Sequence, residues 1–381
     1  MSSQALARYE TTLAGLGRKS RLRTLTPPRG VDFTSNDYLG FANALRVKAA
    51  ISAAIDCGIP AGAGGSRLLR GNHWVHEALE KEAAAFFGAE RVLYFGSGFA
   101  ANVALFSSLP RRDDLIVHDA LIHASAHDGI SASKAKAVAV AHNDVGAFDE
   151  AIRRWRGNGG LGHPWIAIES LYSMDGDRAP ICELIKLANL HDGFLVVDEA
   201  HATGILGPGG HGLASGLAAR SNVLVLHTCG KALGVSGALL GLPGILADYM
   251  INRAHNFIYS TAPSPLMAAG VREALRMVAE EPERRGRLES LRAFAGEQLQ
   301  SKLGIHASGS QILPVVIGDN IRALQIADYM QNEGFDVRAI RPPTVPEGSA
   351  RIRISITLNV DEIQISQMVE RLATAIDQSK G

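Results

Sequence analysis

Two charged side chains follow apolar, strand-like segments of the chain. Asp198 comes directly after the apolar residues 194–197, and Lys231 lies in the glycine-flanked turn 228–234. The carboxyl end of a buried strand is where open α/β sheets bind ligands, and a carboxylate buried there without a partner is costly. A lysine in such a turn either pairs with an acid or acts as a nucleophile with a lowered pKa. The pair therefore predicts either a structural ion pair or a cofactor site.

One cofactor suits both side chains. Pyridoxal 5′-phosphate (PLP) has a carbonyl that forms a Schiff base with lysine and a pyridine nitrogen that an acidic residue holds protonated. Residues 96–101 (Gly-Ser-Gly-Phe-Ala-Ala) follow a strand segment and open a helix, an arrangement that binds phosphate. The flat ring of His123 is suited to stack on a cofactor ring. We therefore interpret Lys231 as the candidate PLP lysine, with Asp198 at the ring nitrogen.

The same segment resembles two nucleotide-binding motifs. Residues 198–201 read Asp-Glu-Ala-His, as in a helicase ATPase box, and Gly230-Lys231 resembles the end of a phosphate loop. A Walker A motif requires G-x-x-x-x-G-K-[ST], whereas this chain has Val at 225 and Ala at 232. The acidic box also precedes the Gly-Lys pair, which is the reverse of the ATPase order. These departures exclude a phosphate-loop ATPase.

Two further alternatives are weaker than the PLP interpretation. Residues 96–101 fit the dinucleotide fingerprint G-x-G-x-x-A, with Asp119 near the distance expected for a ribose carboxylate, but a second nucleotide-binding half is missing. His123 and His127 are four residues apart and could share a helical face as metal ligands. Neither a His-Glu-x-x-His motif nor a carboxylate triad accompanies them, so we expect no metal.

The elements that position these residues alternate along the chain. Seven strand-length apolar runs are separated by helical patterns, which predicts an α/β fold with a mostly parallel sheet between helices. The runs are residues 91–95, 114–119, 136–142, 165–170, 194–200, 222–228 and 238–242. Residues 266–303 form one helical stretch, followed by strand candidates 311–318, 335–340 and 351–357 and helices 320–333 and 360–377. We predict an N-terminal segment (1–44) with a helix, a large domain (45–265) and a small α+β domain (266–381).

Composition excludes several classes of protein. The 381 residues contain 38 basic and 38 acidic side chains, so the net charge that nucleic-acid binding requires is missing. Three separated cysteines predict neither a disulfide framework nor a zinc cluster. The N-terminus does not read as a signal peptide, and apolar runs of about 18 residues are absent. We expect a cytoplasmic protein without nucleic-acid or membrane partners.

Ordered motifs along nearly the whole chain closely resemble the α-oxoamine synthase family, which are PLP enzymes of the aspartate-aminotransferase-like fold (fold type I). The motifs are Ser-Asn-Asp-Tyr-Leu-Gly (35–40), Gly-Gly-Ser-Arg (64–67), Gly-Asn-His (71–73), Ser-Gly-Phe-Ala-Ala-Asn (97–102), Ser-Met-Asp-Gly-Asp (173–177), Asp-Glu-Ala-His (198–201), Thr-Cys-Gly-Lys (228–231) and Tyr-Ser-Thr (259–261). The resemblance implies a PLP-binding large domain, a smaller C-terminal domain and a homodimer.

Three segments indicate which reaction within this family to expect. Residues 141–144, 341–346 and 351–355 resemble those of members that condense L-alanine with a pimeloyl thioester of CoA or acyl-carrier protein (ACP), releasing CO2 and the free thiol. The alternatives are sister enzymes that use glycine or serine, namely 2-amino-3-ketobutyrate CoA ligase, 5-aminolevulinate synthase and serine palmitoyltransferase. A further alternative is a non-catalytic ligand-binding protein of the same fold.

The resemblance also implies roles for individual residues. Lys231 would bind PLP and move the substrate α-proton, and Asp198 would hold the pyridinium nitrogen. His201 would bind the ring hydroxyl, and His123 would stack on the ring. The implied cofactor-binding set is Gly98, Phe99, His123, Ser173, Asp198, His201, Thr228 and Lys231, of which Lys231, His123, Asp198 and His201 are catalytic. The implied substrate-binding set is Arg23, Asn36, His123, Thr344 and Arg353, with Arg353 holding the amino acid carboxylate.

One segment departs from the family pattern. Residues 66–70 read Ser-Arg-Leu-Leu-Arg, where many relatives have small residues before Gly71. Arg67 and Arg70 therefore leave open how the acyl group or its carrier enters.

Overall fold

A computed structural model describes residues 4–379. The helices are α1 (Gln4–Arg18), α2 (Leu45–Asp56), α3 (Trp74–Phe87), α4 (Gly98–Ser108), α5 (Ala124–Ser131), α6 (Val145–Gly157), α7 (Ile181–Leu190), α8 (Gly244–Arg253), α9 (His255–Ile258), α10 (Pro265–Glu280), α11 (Pro282–Leu303), α12 (Asn320–Asn332) and α13 (Glu362–Gln378). The strands are β1 (Val31–Asp32), β2 (Arg91–Phe95), β3 (Leu115–Asp119), β4 (Lys136–Val140), β5 (Pro164–Glu169), β6 (Phe194–Asp198), β7 (Val223–Thr228), β8 (Ala238–Leu242), β9 (Ile312–Gly318), β10 (Phe335–Asp336), β11 (Arg338–Ile340) and β12 (Ala350–Ser355). Within this part of the chain, none of the helices has the length and apolar character needed to cross a membrane.

A seven-stranded sheet carries the strands that the sequence predicts. Its order is β2-β8-β7-β6-β5-β3-β4, and β8 alone runs antiparallel to its neighbours. One apolar core joins the sheet to α4, α5, α8 and α9, and a second joins it to α6 and α7. Both faces are therefore covered, which explains the continuous apolar runs. β4 is the exception, because it is an edge strand and four of its five residues are exposed.

The chain divides into two compact units at positions that differ from the predicted boundaries. Among the described residues, the larger unit comprises 37–173 and 177–286, and the smaller one comprises 4–36, 174–176 and 287–379. The predicted boundary at 265/266 lies too early because α10 packs on α2 and α3 and so belongs to the larger unit. The single helical stretch predicted for residues 266–303 is two helices. Pro282 begins the second, since proline cannot donate the backbone hydrogen bond that a continuous helix needs.

The smaller unit contains two small sheets. β11, β12 and β9 form an antiparallel sheet in that order, and β1 pairs in parallel with β10. The strand predicted over residues 335–340 is therefore two strands that belong to different sheets. The other two predicted strands are confirmed as β9 and β12, and the two predicted helices as α12 and α13.

Candidate active site

A cavity lies in the larger unit, where the carboxyl ends of β5, β6 and β7 meet the first turn of α4. The residues that line it are Gly98, Phe99, Asn102, His123, Ser125, Glu169, Asp198, Ala200, His201, Leu226, Thr228 and Lys231. The set includes all the predicted cofactor residues except Ser173. The sheet thus brings together side chains that are distant in sequence, at the sheet edge where α/β folds bind ligands.

The Asp198 carboxylate is held by two donors. Its Oδ2 accepts a hydrogen bond of 2.9 Å from Nδ2 of Asn102, and its Oδ1 accepts one of 2.9 Å from the backbone N–H of Ala200. Each carboxylate oxygen therefore has a donor, which fixes the orientation of the Asp198 side chain at the cavity wall.

Asn102 also connects Asp198 to His123. The same amide donates to the Ser125 hydroxyl at 2.9 Å, and this hydroxyl lies 2.8 Å from Nδ1 of His123. The backbone N–H of Ser125 donates to the same nitrogen at 3.2 Å, so Nδ1 is an acceptor. Enclosure of the ring and nearby Lys231 lower the pKa of His123. His123 therefore has a neutral ring of fixed orientation at the cavity wall.

His201 is fixed by Tyr38, for which the sequence predicted no role. Its Nδ1 lies 2.7 Å from the hydroxyl of Tyr38, and both side chains are buried. Tyr38, Asn102 and Ser125 were all missed as functional residues. Tyr38 and Asn102 did stand inside motifs of the family resemblance, and this was the only available signal.

Lys231 is presented by a tight turn after β7. The backbone N–H of Gly234 donates to the Lys231 carbonyl at 2.9 Å, and Gly234 has a φ of +65°. A Cβ on Gly234 would lie 2.3 Å from the backbone nitrogen of Ala42. Only glycine suits this position, because other residues would be strained and would also clash.

The first turn of α4 provides an anion site close to β7. Ser97 caps the helix by accepting a 3.1 Å hydrogen bond from the backbone N–H of Ala100. The first N–H groups of a helix have no partner within it, and they attract phosphate. Gly98 lies beside Thr228, since a Cβ on Gly98 would be 3.5 Å from the Thr228 hydroxyl. The predicted phosphate-binding residues are therefore adjacent.

Two buried carboxyl groups flank Asp198. Oε2 of Glu169 accepts a 3.0 Å hydrogen bond from the backbone N–H of Ser173, which is how Ser173 connects to the cavity wall. Burial, together with Asp198, raises the pKa of Glu169 well above its usual range. Glu199 accepts hydrogen bonds from the backbone N–H groups of Leu213 and Ala214, and burial raises its pKa to about 7. Neither glutamate was predicted from the sequence to be functional.

The predicted substrate residues other than His123 belong to the smaller unit, where they form two pairs. Nη2 of Arg353 donates to Oδ1 of Asn36 at 3.1 Å, and its Nη1 donates to the Ser355 hydroxyl at 2.8 Å. Arg353 is 7% exposed, so it is not a surface charge of the strand. Nη2 of Arg23 donates to the Thr344 hydroxyl at 3.0 Å.

The departure at residues 66–70 has a structural explanation for one of its two arginines. Arg67 makes two hydrogen bonds to the carboxylate of Glu80, at 2.8 and 2.9 Å, and a third to Oδ1 of Asn72. Its side chain is 8% exposed. Arg67 therefore anchors its own segment, whereas Arg70 is exposed.

Comparison with known proteins gives the family. The model of the aminotransferase class I and II family matches residues 28–372. The chain belongs to the aminotransferase class I and II family. Within that family it is 37% identical over 376 residues to an 8-amino-7-oxononanoate synthase of Chromobacterium violaceum, covering 94% of this chain and 96% of the relative. It is 41% identical over 350 residues to an enzyme of the same name from Anaeromyxobacter sp. strain K, covering 91% and 86%.

Solved structures agree with the fold. A serine palmitoyltransferase of S. paucimobilis with bound PLP superposes with a TM-score of 0.89 at 24% identity, covering 99% of this chain and all of the other. An 8-amino-7-oxononanoate synthase of Francisella tularensis superposes with a TM-score of 0.77 at 28% identity, covering 92% and 99%. The predicted fold type I architecture of PLP-dependent transferases and the predicted membership of the α-oxoamine synthases are confirmed.

Proposed function

We propose that this chain is a PLP-dependent acyltransferase that condenses L-alanine with a pimeloyl thioester of CoA or ACP. The products are 8-amino-7-oxononanoate, CO2 and the free thiol carrier, and the reaction belongs to biotin biosynthesis. The observation that carries the proposal is the meeting of Lys231, Asp198, His201 and His123 in one cavity. The chain that builds this cavity is 37–41% identical to synthases of that name.

The donor set of the cavity fits PLP. The first turn of α4 and the Thr228 hydroxyl suit a phosphate, and the Asp198 carboxylate, oriented by two donors, suits a protonated ring nitrogen. Lys231 supplies the amine that a carbonyl carbon needs. Gly98, Phe99 and Thr228 would hold the phosphate, with Ser173 close to the ring. When bound, PLP supplies an electron sink for negative charge at the substrate α-carbon.

Side chains of this protein would orient the cofactor and the substrate and would move protons between them. The Lys231 amine would take the α-proton of alanine, because it becomes free once the amino acid replaces it at the cofactor. The Asp198 carboxylate would keep a proton on the ring nitrogen, and His201, fixed by Tyr38, would hydrogen-bond the ring hydroxyl. The neutral His123 ring would cover one face and hydrogen-bond the oxygen on which charge develops during decarboxylation.

Arg353 would hold the alanine carboxylate through its two terminal nitrogens, a geometry that suits arginine. Asn36 and Ser355 already fix the plane of its guanidinium group.

A cluster of arginines in the smaller unit supports an acyl group that ends in a carboxylate. Arg21, Arg23 and Arg341 line a pocket together with Thr344. Burial and, to a smaller extent, the nearby Arg23 lower the pKa of Arg341. Glu347 pairs with Arg21 but is largely exposed, so the pocket retains an excess of cations. Such a pocket suits the free carboxylate of a pimeloyl group better than an apolar chain end.

We also propose that the protein acts in the cytoplasm as a homodimer. Its three cysteines are free, which suits a reducing compartment. Large apolar side chains stand exposed on the larger unit, as at surfaces that contact another protein. They include Leu68, Leu69, Trp74, Phe99 and Tyr259. Light scattering of the purified protein should give twice the monomer mass, and a monomeric result would contradict the dimer.

The cofactor assignment is tested by the visible spectrum. Purified protein reconstituted with PLP should show the absorption of a lysine-bound cofactor, and Lys231→Ala should lose it. Cys229→Ala, two residues away and buried, is the matched control and should keep the band. An unchanged band in Lys231→Ala would refute the role of this lysine.

The substrate assignment is tested by thiol release. Pimeloyl-CoA should give the fastest release with L-alanine, slower release with glycine or serine, and equimolar CO2 in each case. Faster turnover with glycine or serine would indicate one of the sister enzymes instead. A PLP-binding protein that releases thiol with none of the three amino acids would contradict the enzyme assignment as a whole.

A further inference from the structure

Glu169 and Asp198 are neighbours across two strands. Glu169 ends β5, Asp198 ends β6, and the two residues are register partners in this parallel pair. Neighbouring strands lie about 4.8 Å apart, so the two carboxyl groups start from adjacent backbone positions. Both residues line the cofactor cavity, and Glu169 is 3% exposed.

The two carboxyl groups differ in their hydrogen bonds. Asp198 accepts from a side-chain amide and from a backbone N–H, whereas Glu169 accepts from the backbone N–H of Ser173. Oε1 of Glu169 is buried and has no hydrogen-bond partner among the described residues. When two carboxyl groups are adjacent, ionisation of one disfavours ionisation of the other. The group that accepts fewer hydrogen bonds is the one that keeps its proton. That group is Glu169.

Some charges near Glu169 raise its pKa and others lower it. Asp198 on β6 and Asp119 on β3 disfavour a second negative charge, while Lys231, after β7, favours it. His123, which lines the same cavity, is neutral. Burial adds the largest contribution and, with Asp198, raises the pKa of Glu169 well above its usual range. The positive charge of Lys231 lowers the pKa of Glu169 by less than burial, Asp198 and Asp119 together raise it.

We propose that Glu169 is a positioning residue that remains a protonated carboxylic acid at neutral pH and donates a hydrogen bond from its Oε1 side into the cofactor cavity. The negative charge at this end of the sheet is then confined to Asp198. The part of this proposal that concerns the cofactor rests on the proposed function, whereas the protonation of Glu169 does not.

A neutral Glu169 preserves the interaction that Asp198 offers to a protonated ring nitrogen. A second carboxylate beside Asp198 would repel it and draw a proton into the pair. A carboxylic acid instead has a donor to offer, which suits an acceptor atom of the ligand. Glutamine has the same shape and also presents a donor and an acceptor, so it imitates the protonated acid but not the carboxylate.

The decisive experiment compares Glu169→Gln with wild type by infrared difference spectroscopy at pH 7, on the PLP-reconstituted protein and on apo-protein. Glu199 is a second buried glutamate, whose pKa of about 7 gives it a partly protonated carboxyl group at this pH. Both proteins are therefore compared in the Glu199→Gln background, where we expect a remaining carbonyl stretch of a protonated carboxyl group. Adding Glu169→Gln should remove this stretch. Absence of the stretch from Glu199→Gln, or its survival after Glu169→Gln is added, would overturn the proposal.

A second readout tests the hydrogen bond into the cavity. Glu169→Gln should bind PLP with wild-type affinity, and its visible band should keep the wild-type dependence on pH. Glu169→Ala should bind PLP about tenfold more weakly, as expected for one lost hydrogen bond. Equal weakening in both variants, or in neither, would contradict the donor role. If wild type itself does not bind PLP, the proposed function fails, and the infrared result on apo-protein still decides the protonation state.

Discussion

The side-chain amide of Asn102 donates a hydrogen bond of 2.9 Å to the carboxylate of Asp198, although the two residues are 96 positions apart in the chain. Asn102 comes from α4 and Asp198 from the end of β6. The helix whose first turn forms the anion site therefore also fixes the acid at the other end of the cavity. A displacement of α4 would disturb both.

Replacing Asn102 by alanine should destabilise the apo-protein and weaken PLP binding. The change removes a donor from a partly buried carboxylate, which costs about 1–3 kcal/mol of unfolding free energy. Urea denaturation and PLP titration are the measurements. Asn252→Ala is the control, since Asn252 is on the surface and bonds only within α8, so a change within about 0.5 kcal/mol is expected. Equal effects of the two substitutions would contradict the role of Asn102.

Arg67 and Arg70 offer a comparison within a single segment. The Arg67 side chain is 8% exposed and that of its partner Glu80 is 14% exposed, so removing Arg67 leaves a buried carboxylate without its cation. Arg67→Ala should cost about 3–5 kcal/mol of unfolding free energy. Arg70→Ala, at an exposed position, should change stability by less than about 0.5 kcal/mol. Denaturant titration of both variants checks this, and a stable Arg67→Ala would show that the ion pair is dispensable.

The sequence predicted the parts of the site that depend on local pattern. Lys231 and Asp198 follow strands whose apolar runs are visible without a structure, and the turn at Gly234 is marked by its glycine. The hydrogen bonds of Asn102 and Tyr38 were not predictable in the same way, because each joins residues more than ninety positions apart. Nothing in the local pattern indicates which polar groups meet after folding.

The domain boundary was missed for a related reason. Residues 266–303 read as one helical stretch, but α10 belongs with α2 and α3, which lie far earlier in the chain. Helical periodicity shows which face of a helix is apolar and does not show what covers that face. The strand over 335–340 was divided for the same reason, because its halves pair with different partners.

Arg23 should affect binding of the acyl substrate more than turnover. Arg23→Gln removes a charged donor from the arginine pocket, and such a hydrogen bond contributes about 1.5–3 kcal/mol, equivalent to roughly a tenfold to hundredfold rise in KM for pimeloyl-CoA. The value of kcat should change little, because this pocket would hold the far end of the acyl chain. Heptanoyl-CoA, which has the same length without the carboxylate, should show no such rise.

The matched control for Arg23 is Arg8→Gln, at an exposed position on α1. It should leave both kinetic constants unchanged for pimeloyl-CoA. A similar rise in KM for pimeloyl-CoA and heptanoyl-CoA in Arg23→Gln would contradict recognition of the terminal carboxylate.

Glu199 should make the folded state less stable as pH rises towards neutrality. Burial raises its pKa from the ordinary value of 4.5 to about 7, so between these values the unfolded chain has released a proton that the folded protein still binds. Stability falls with pH wherever the folded state binds more protons, and a shift of this size corresponds to about 3 kcal/mol. Buried His76, with a pKa lowered to about 4, acts in the opposite direction between pH 4 and 6.5. The contribution of Glu199 is therefore the difference between wild type and Glu199→Gln, measured by urea denaturation from pH 4.5 to 7.5. The variant should lose less stability over this interval even if it is weaker throughout, and parallel curves would contradict a raised pKa at Glu199.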